Sequence, residues 1–377
     1  MTILLHGDTV RSAAMRHEVP LEIIDPFLLV ADERLRVLTS SLEGTRIAGV
    51  LPDAELVYAE DLGWHELVEK GLSIEEAELE TVVRAADQWG LKDVVVPGDL
   101  PVAVADRLRA AGITVTVDSP AVAARRRVKN AAELEGIRRA QRAAEAGLQA
   151  GEALIRGSAR EGGKLIYAGE ELTAETVRAA IRSACAAAGA PAPPDIMVVS
   201  AWSGDGGHDP GSGPLPADLP IVIDLWPRDE QSGCWADMTR TFVAGEVTDE
   251  VAALREVVLE SLEAAAAAAG PGVTGGALYD AAAEVVERAG YPTQRTRKPG
   301  ERLMHGFYFA LGHGVGLEVH EPPRLGLGST EPLVAGDVIA IEPGIEGLER
   351  IGGVRYEDLL LITEDGCETL TRYAYDL

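Results

Sequence analysis

Along the first third of the chain, short apolar runs alternate with longer amphipathic stretches. Residues 27–31 and 37–39 are strand-like runs around an Asp-Glu turn, and 93–96 and 113–117 are two more. Between them, 74–89 and 102–111 carry apolar residues at helical spacing. Strands alternating with helices predict a small layered α/β domain over residues 1–122. A basic connector, Arg125-Arg-Arg-Val-Lys129, then leads to Asn130, which with Glu133 three residues on forms a capping-box pair. The helix it starts has Leu134, Ile137, Leu148 and Ile155 on one face and opens a second domain, residues 123–377.

The pattern of this second domain is mixed. Thr173 caps an Ala-rich helix that ends near Gly189-Ala-Pro191. A strand over 196–200 follows, then a Gly-rich loop carrying His208. Apolar runs at 220–225 and 236–242 read as two strands joined by a turn around Gln231-Ser-Gly233. Two Ala-rich helices follow, about 249–269 and 277–289, the first stopped by Gly270-Pro271. After a loop at 290–303 come a His/Gly stretch and strands at 337–343 and 354–363. Helices and paired strands occur twice over, so the fold class expected is α+β, internally duplicated, with a site between the halves.

Composition narrows the function. The 377 residues suffice for two or three domains of ~100–200 residues. With 61 acidic against 34 basic residues the net charge is −27, which argues against nucleic acid or an anionic membrane as partner. Three cysteines, Cys185, Cys234 and Cys367, make neither a disulfide framework nor a zinc cluster. The first residues lack a basic and apolar leader, and no apolar run reaches the ~18 residues of a membrane span. The expectation is a cytoplasmic protein.

The chemistry gathers around Leu311-Gly-His313-Gly-Val-Gly-Leu-Glu318-Val-His320-Glu-Pro-Pro323. Alternating glycines are costly in a helix or strand, and their use is to bring backbone close to something and aim His313 at it. Asp224 and Asp237 lie on one predicted strand pair, Glu342 and Glu357 on another, and such a pair can place two carboxylates on one face within ~5 Å. They are either separate surface acids or metal ligands. Asp224 in Ile-Val-Ile-Asp-Leu-Trp and Glu342 in Val-Ile-Ala-Ile-Glu-Pro-Gly have apolar flanks typical of buried strands, where unpaired acids are rare. That favours metal. One imidazole and four carboxylates suit Mn²⁺, Co²⁺ or Zn²⁺, and two such ions ~3.5–4 Å apart would generate a hydroxide nucleophile at neutral pH. The isolated His6, His17 and His65 read as structural or exposed.

These segments resemble the pita-bread metallopeptidases, the family of Xaa-Pro aminopeptidases, Xaa-Pro dipeptidases (prolidases) and methionine aminopeptidases, and most of all its proline-specific branch. The likeness is carried, in the family's order, by Ile223-Asp224, Ala236-Asp237-Met-Thr-Arg-Thr-Phe242, Gly312-His313-Gly-Val-Gly-Leu-Glu-Val-His320-Glu-Pro322, Ile341-Glu342-Pro-Gly344 and Val354-Arg355-Tyr-Glu357-Asp. It covers roughly residues 130–377; residues 1–122 resemble the family's creatinase-like N-terminal domain in layout only. The resemblance implies a duplicated pita-bread catalytic domain with two divalent ions, manganese first among the candidates. Asp224 would chelate one ion, His313 and Glu342 the other, and Asp237 and Glu357 would bridge them. Glu342 would also shuttle the proton, His208 and His320 would bond the substrate carbonyl and developing oxyanion, and Arg355 would buttress the bridging carboxylates. His305 has no counterpart and reads as structural. The implied substrate is a short proline-containing peptide, cut between its first residue and proline, and the implied assembly is a homodimer.

One departure stands out. Twelve residues separate Asp224 from Asp237, where the family usually has ten, and Trp226 stands where a glycine is common. Two added residues keep strand parity, so both acids can still face the site, while Trp226 can either line the pocket or pack elsewhere. Two other readings remain: a C–N hydrolase of a small amide or guanidino metabolite, like the creatinase and ectoine-hydrolase relatives, and a non-catalytic binding protein on the same fold. The presence of all five ligand positions argues against both a metal-free mechanism and a binding protein.

Overall fold

The computed structural model describes residues 1–200 and 209–377, in two compact units, Met1–Arg126 and Arg127–Leu377. The N-terminal unit is a six-stranded mixed sheet in the spatial order Glu55–Tyr58, Leu35–Thr39, Phe27–Ala31, Ile3–Gly7, Asp93–Val96, Thr114–Val117. Ile3–Gly7 runs antiparallel to Phe27–Ala31 and parallel to Asp93–Val96, which is why helices such as Ile74–Gln88 and Val102–Ala110 cover the sheet. Two apolar clusters fill its faces, one around Leu28, Val82, Val94 and Leu108, the other around Met15, Leu29, Val37 and Ile47. Ile3–Gly7 and Glu55–Tyr58 are additional to the predicted strands.

The C-terminal unit contains helix-plus-sheet material twice. Its first half packs the long helix Ala131–Arg156 and Ala174–Ala187 on a three-stranded antiparallel sheet, Met197–Ser200, Pro220–Leu225 and Met238–Val243. The Asn130–Glu133 capping box forms as the sequence suggested. Gly147 and Gly151 allow the closeness, because a Cβ at Gly147 would sit 2.6 Å from Cys185 Sγ. In the second half, Asp249–Ala268 and Gly275–Arg288 cover a five-stranded sheet ordered Glu321–Leu325, Gly312–Gly314, Val338–Ile341, Asp358–Ile362, Cys367–Thr369.

The predicted strand 354–363 is two strands. Gly352–Arg355 pairs with Gly344–Leu348, whereas Asp358–Ile362 joins the five-stranded sheet. The break at Tyr356-Glu357 lies where the two halves meet. There Glu357 N donates to Thr239 O, and Thr241 Oγ1 donates to Arg355 O. The basic connector is also committed. Arg127 forms a buried pair with Asp337, and Lys129 a buried pair with Glu321 at 2.5 Å.

Candidate metal centre

The strand register brings the acids together. Asp224 lies opposite Thr239 and Leu225 opposite Met238. Asp237, two residues before Thr239, therefore shares the face of Asp224. Ile341 lies opposite Asp358, so Glu342 and Glu357 stand at the next facing positions, just beyond the paired strands. Asp224, Asp237 and Glu357 are buried and can offer oxygens within 4.8 Å of one another. His313 Nε2 lies 3.6 Å from Asp237 Oδ2 and 3.7 Å from Glu342 Oε1.

The glycines around His313 are needed for space. A Cβ on Gly312 would lie 1.9 Å from Ala340 O, and one on Gly314 2.3 Å from Pro322 O. The close approach they permit is therefore to neighbouring backbone, which seats the His313 strand between its neighbours and aims the ring at the acids.

This donor set fits divalent cations. Among the described residues, Asp224 Oδ1 and Glu357 Oε1 are buried without a hydrogen-bond partner, a costly state for a carboxylate oxygen unless a cation takes it. Burial, reinforced by Asp224 and Glu342, pushes the Asp237 carboxyl well above its usual range. Burial, with Asp237, Glu342 and Asp224, does the same to Glu357. Glu342 is pushed up to about 8 by burial, against the opposing pull of Arg355 and with the help of Asp224 and Glu346. His313 Nδ1 lies 3.1 Å from Gly314 O; donation there fixes the tautomer that leaves the Nε2 lone pair facing the carboxylates.

The supporting residues differ in part from those expected. Arg355 reaches Asp224 at 2.9 Å and Glu342 at 3.4 Å rather than Asp237 or Glu357, and Glu346 lies 3.5 Å from its Nε. Burial would lower the Arg355 pKa, but Asp224, Glu346, Glu342 and Glu357 together raise it. Glu357 is held instead by Thr239, whose Oγ1 donates to its Oε2 at 2.8 Å. His320 stacks edge-on against His313 with ring centroids 4.2 Å apart, and its ring joins His313 and Asp237 in a second group with metal-ligand geometry. Glu342, expected beside His313, is near it but outside that group. His208 lies outside the described residues. His305 is exposed.

A cleft of about 580 Å³ opens onto the centre, with Tyr308, Phe309, His320, Arg324, Glu342 and Arg355 in its wall. Trp226 is not among the described residues of that wall. It is half-buried and packs on Met197, Val199 and Val222. The lengthened hairpin is anchored through Asp229, which accepts from Arg139 Nε and Nη2 at 2.9 and 2.8 Å and from Ser232. The added residues thus extend the hairpin onto the long helix.

Residues 135–364, more than half of the chain, match the family model described as metallopeptidase family M24. The chain belongs to this family. Among curated relatives it is similar to the Xaa-Pro dipeptidase of Pyrococcus furiosus, 40% identical over 157 residues that cover 42% of this chain and 41% of the relative. It is also similar to the Xaa-Pro dipeptidase of Pyrococcus horikoshii, 40% identical over 157 residues, 42% of this chain and 40% of the relative. The matched stretch thus spans about two fifths of those relatives' length. Among solved structures, the X-Pro aminopeptidase from Thermotoga maritima superposes with a TM-score of 0.78 at 23% identity, covering 100% of this chain and 97% of that one. The prolidase from Pyrococcus horikoshii does so with 0.75 at 24%, covering 99% and 94%. The whole chain therefore shares its fold with these two structures.

Thr239, Tyr308, Glu346 and Arg324 are cleft or centre residues that sequence reasoning passed over. Thr239 was legible in principle, since it alternates with Asp237 on the same strand face. Arg324, four residues after His320, carried a weaker signal.

Proposed function

We propose that this family member is a dinuclear-metal hydrolase that cleaves the peptide bond between an N-terminal residue and proline. One observation carries the reading: a buried set of carboxylates around His313 whose orphaned oxygens and raised pKa values call for cations. The likeness to the two Pyrococcus Xaa-Pro dipeptidases supports the substrate class. Asp224, Asp237, His313, Glu342 and Glu357 would hold the ions, manganese first given the oxygen-rich donor set. Two divalent ions held there would supply Lewis acidity, polarising a carbonyl and lowering the pKa of a water toward neutrality.

The remaining work falls to side chains. Glu342 Oε accepts the proton of the attacking water and returns it to the leaving proline nitrogen, so that the nitrogen departs as a neutral amine. His320 and His208 donate to the substrate carbonyl oxygen as charge builds there. Arg355 keeps Asp224 and Glu342 in place through its two ion pairs. Arg324, which forms no ion pair among the described residues, offers a cation in the cleft wall to a substrate carboxylate.

The test is hydrolysis of an Xaa-Pro dipeptide and an Xaa-Pro-Yaa tripeptide by protein reconstituted with Mn²⁺ or Co²⁺, with Asp237→Ala as control. Cleavage that Asp237→Ala abolishes supports the reading. Two bound ions with no cleavage of either peptide overturns it.

A further inference from the structure

In a chain of net charge −27, the loop at 290–303 is locally basic, with Arg295, Arg297, Lys298 and Arg302 against Glu301. The loop is structured. Its Gln294 N donates to Tyr279 Oη at 3.1 Å, and Gln294 Nε2 donates to Tyr308 O at 2.7 Å. Arg295 is spent on Asp280 and Glu287. Arg297 and Arg302 are not paired with a carboxylate among the described residues; Arg297 Nη1 donates to the Glu301 carbonyl, while the Glu301 carboxylate accepts from Lys298 N.

Both guanidinium groups line a cavity of about 420 Å³, together with Gln294, Glu301, Leu303 and Leu327. Tyr308 is the shared wall between this cavity and the cleft over the metal centre. The opposite rim is continuous too: Arg324 lines the cleft and Leu327, three residues on, lines the basic cavity. Two segments therefore run from one space into the other.

We infer that this basic cavity is a subsite for the part of a peptide substrate beyond proline, taking a C-terminal carboxylate at Arg297 and Arg302; the inference rests on the Xaa-Pro hydrolase reading. In an Xaa-Pro dipeptide the carboxylate belongs to proline and stays in the cleft. Each added residue carries it up to ~3.3–3.6 Å outward along an extended chain. Two guanidinium groups suit a carboxylate because each presents a planar fork of donors. Tyr308, Leu303 and Leu327 supply apolar surface for the intervening side chain, the usual composition of a ligand pocket. The chain then favours peptides of three or more residues.

The experiment measures KM for an Xaa-Pro-Yaa-Yaa peptide as free acid and as C-terminal amide, using the metal-loaded full chain. The free acid should bind about tenfold better, a ratio set by charge-assisted hydrogen bonds. The ratio should fall toward one in Arg297→Gln/Arg302→Gln, and Arg297→Lys/Arg302→Lys should keep part of it. Equal KM values in the unaltered protein, or a ratio that survives the Gln variant, overturn the inference. If no peptide is cut, the hydrolase reading fails on its own. Calorimetric titration with the same acid and amide then decides the subsite, an acid preference lost in the Gln variant supporting it and no preference overturning it.

Discussion

Arg240→Met tests the packing that joins the two halves of the C-terminal unit. Arg240 lies on the strand Met238–Val243 and its side chain is 1% exposed. Its guanidinium donates to the carbonyls of Thr239, Glu357, Tyr373 and Ala374 and pairs with Asp358 at 2.9 Å. The ring of Tyr375 lies 4.5 Å below it. Methionine matches the stem but removes every donor. Asp358 would stay buried without its cation, and breaking a buried pair from one side costs about 3–5 kcal/mol. Counting net hydrogen bonds at ~1 kcal/mol each gives the same order. At about 2–4 °C per kcal/mol for a unit of this size, the melting temperature should fall by roughly 6–20 °C. Urea unfolding followed by circular dichroism measures the loss. The paired Asp358→Asn substitution removes the stranded charge, so the double variant should lose clearly less than the sum. A loss under ~1 kcal/mol, or strict additivity, would refute the argument. Because Arg240 Nη1 also holds the Glu357 carbonyl, the variant should bind metal more weakly.

Three further outcomes follow from the same contacts. Thr239→Val removes the hydroxyl that orients Glu357 and should weaken metal binding about 10–100-fold, read by competition with a chelating dye; unchanged affinity contradicts that role. Gly312→Ala drives a methyl to 1.9 Å from Ala340 O and should yield protein that is insoluble or melts far lower, whereas normal melting would show that the strand can shift. The metal-free protein should become less stable as pH rises. Glu342, raised to about 8, and Asp237 and Glu357, also raised, favour folding while protonated in the folded state, so their contribution is fully present below their ordinary carboxyl values, 3.8 for Asp237 and 4.5 for the two glutamates, and is lost as pH climbs through the folded values. Melting with chelator from pH 5.5 to 8.5 should show this decline, with Mn²⁺ reversing it most at the high end and Glu342→Gln flattening it; a melting temperature that rises with pH contradicts it.

Much of the centre was legible from residue order because strand geometry is local. Side chains alternate with period two, so the parity of Asp224, Thr239 and Asp237 follows from spacing once a hairpin is assumed. The apolar flanks of Asp224 and Glu342 likewise announced burial, and the glycines around His313 announced close packing. Tertiary structure decided what is not local. The run 354–363 splits because Arg355 and Asp358 belong to different sheets. Glu357 meets Thr239 across 118 residues, and Arg355 meets Asp224 across 131. Trp226 packs on Met197, Val199 and Val222 and Tyr308 lines the cleft for the same reason: a side chain's surroundings are set by which distant surface packs against it, and spacing along one segment carries no record of that.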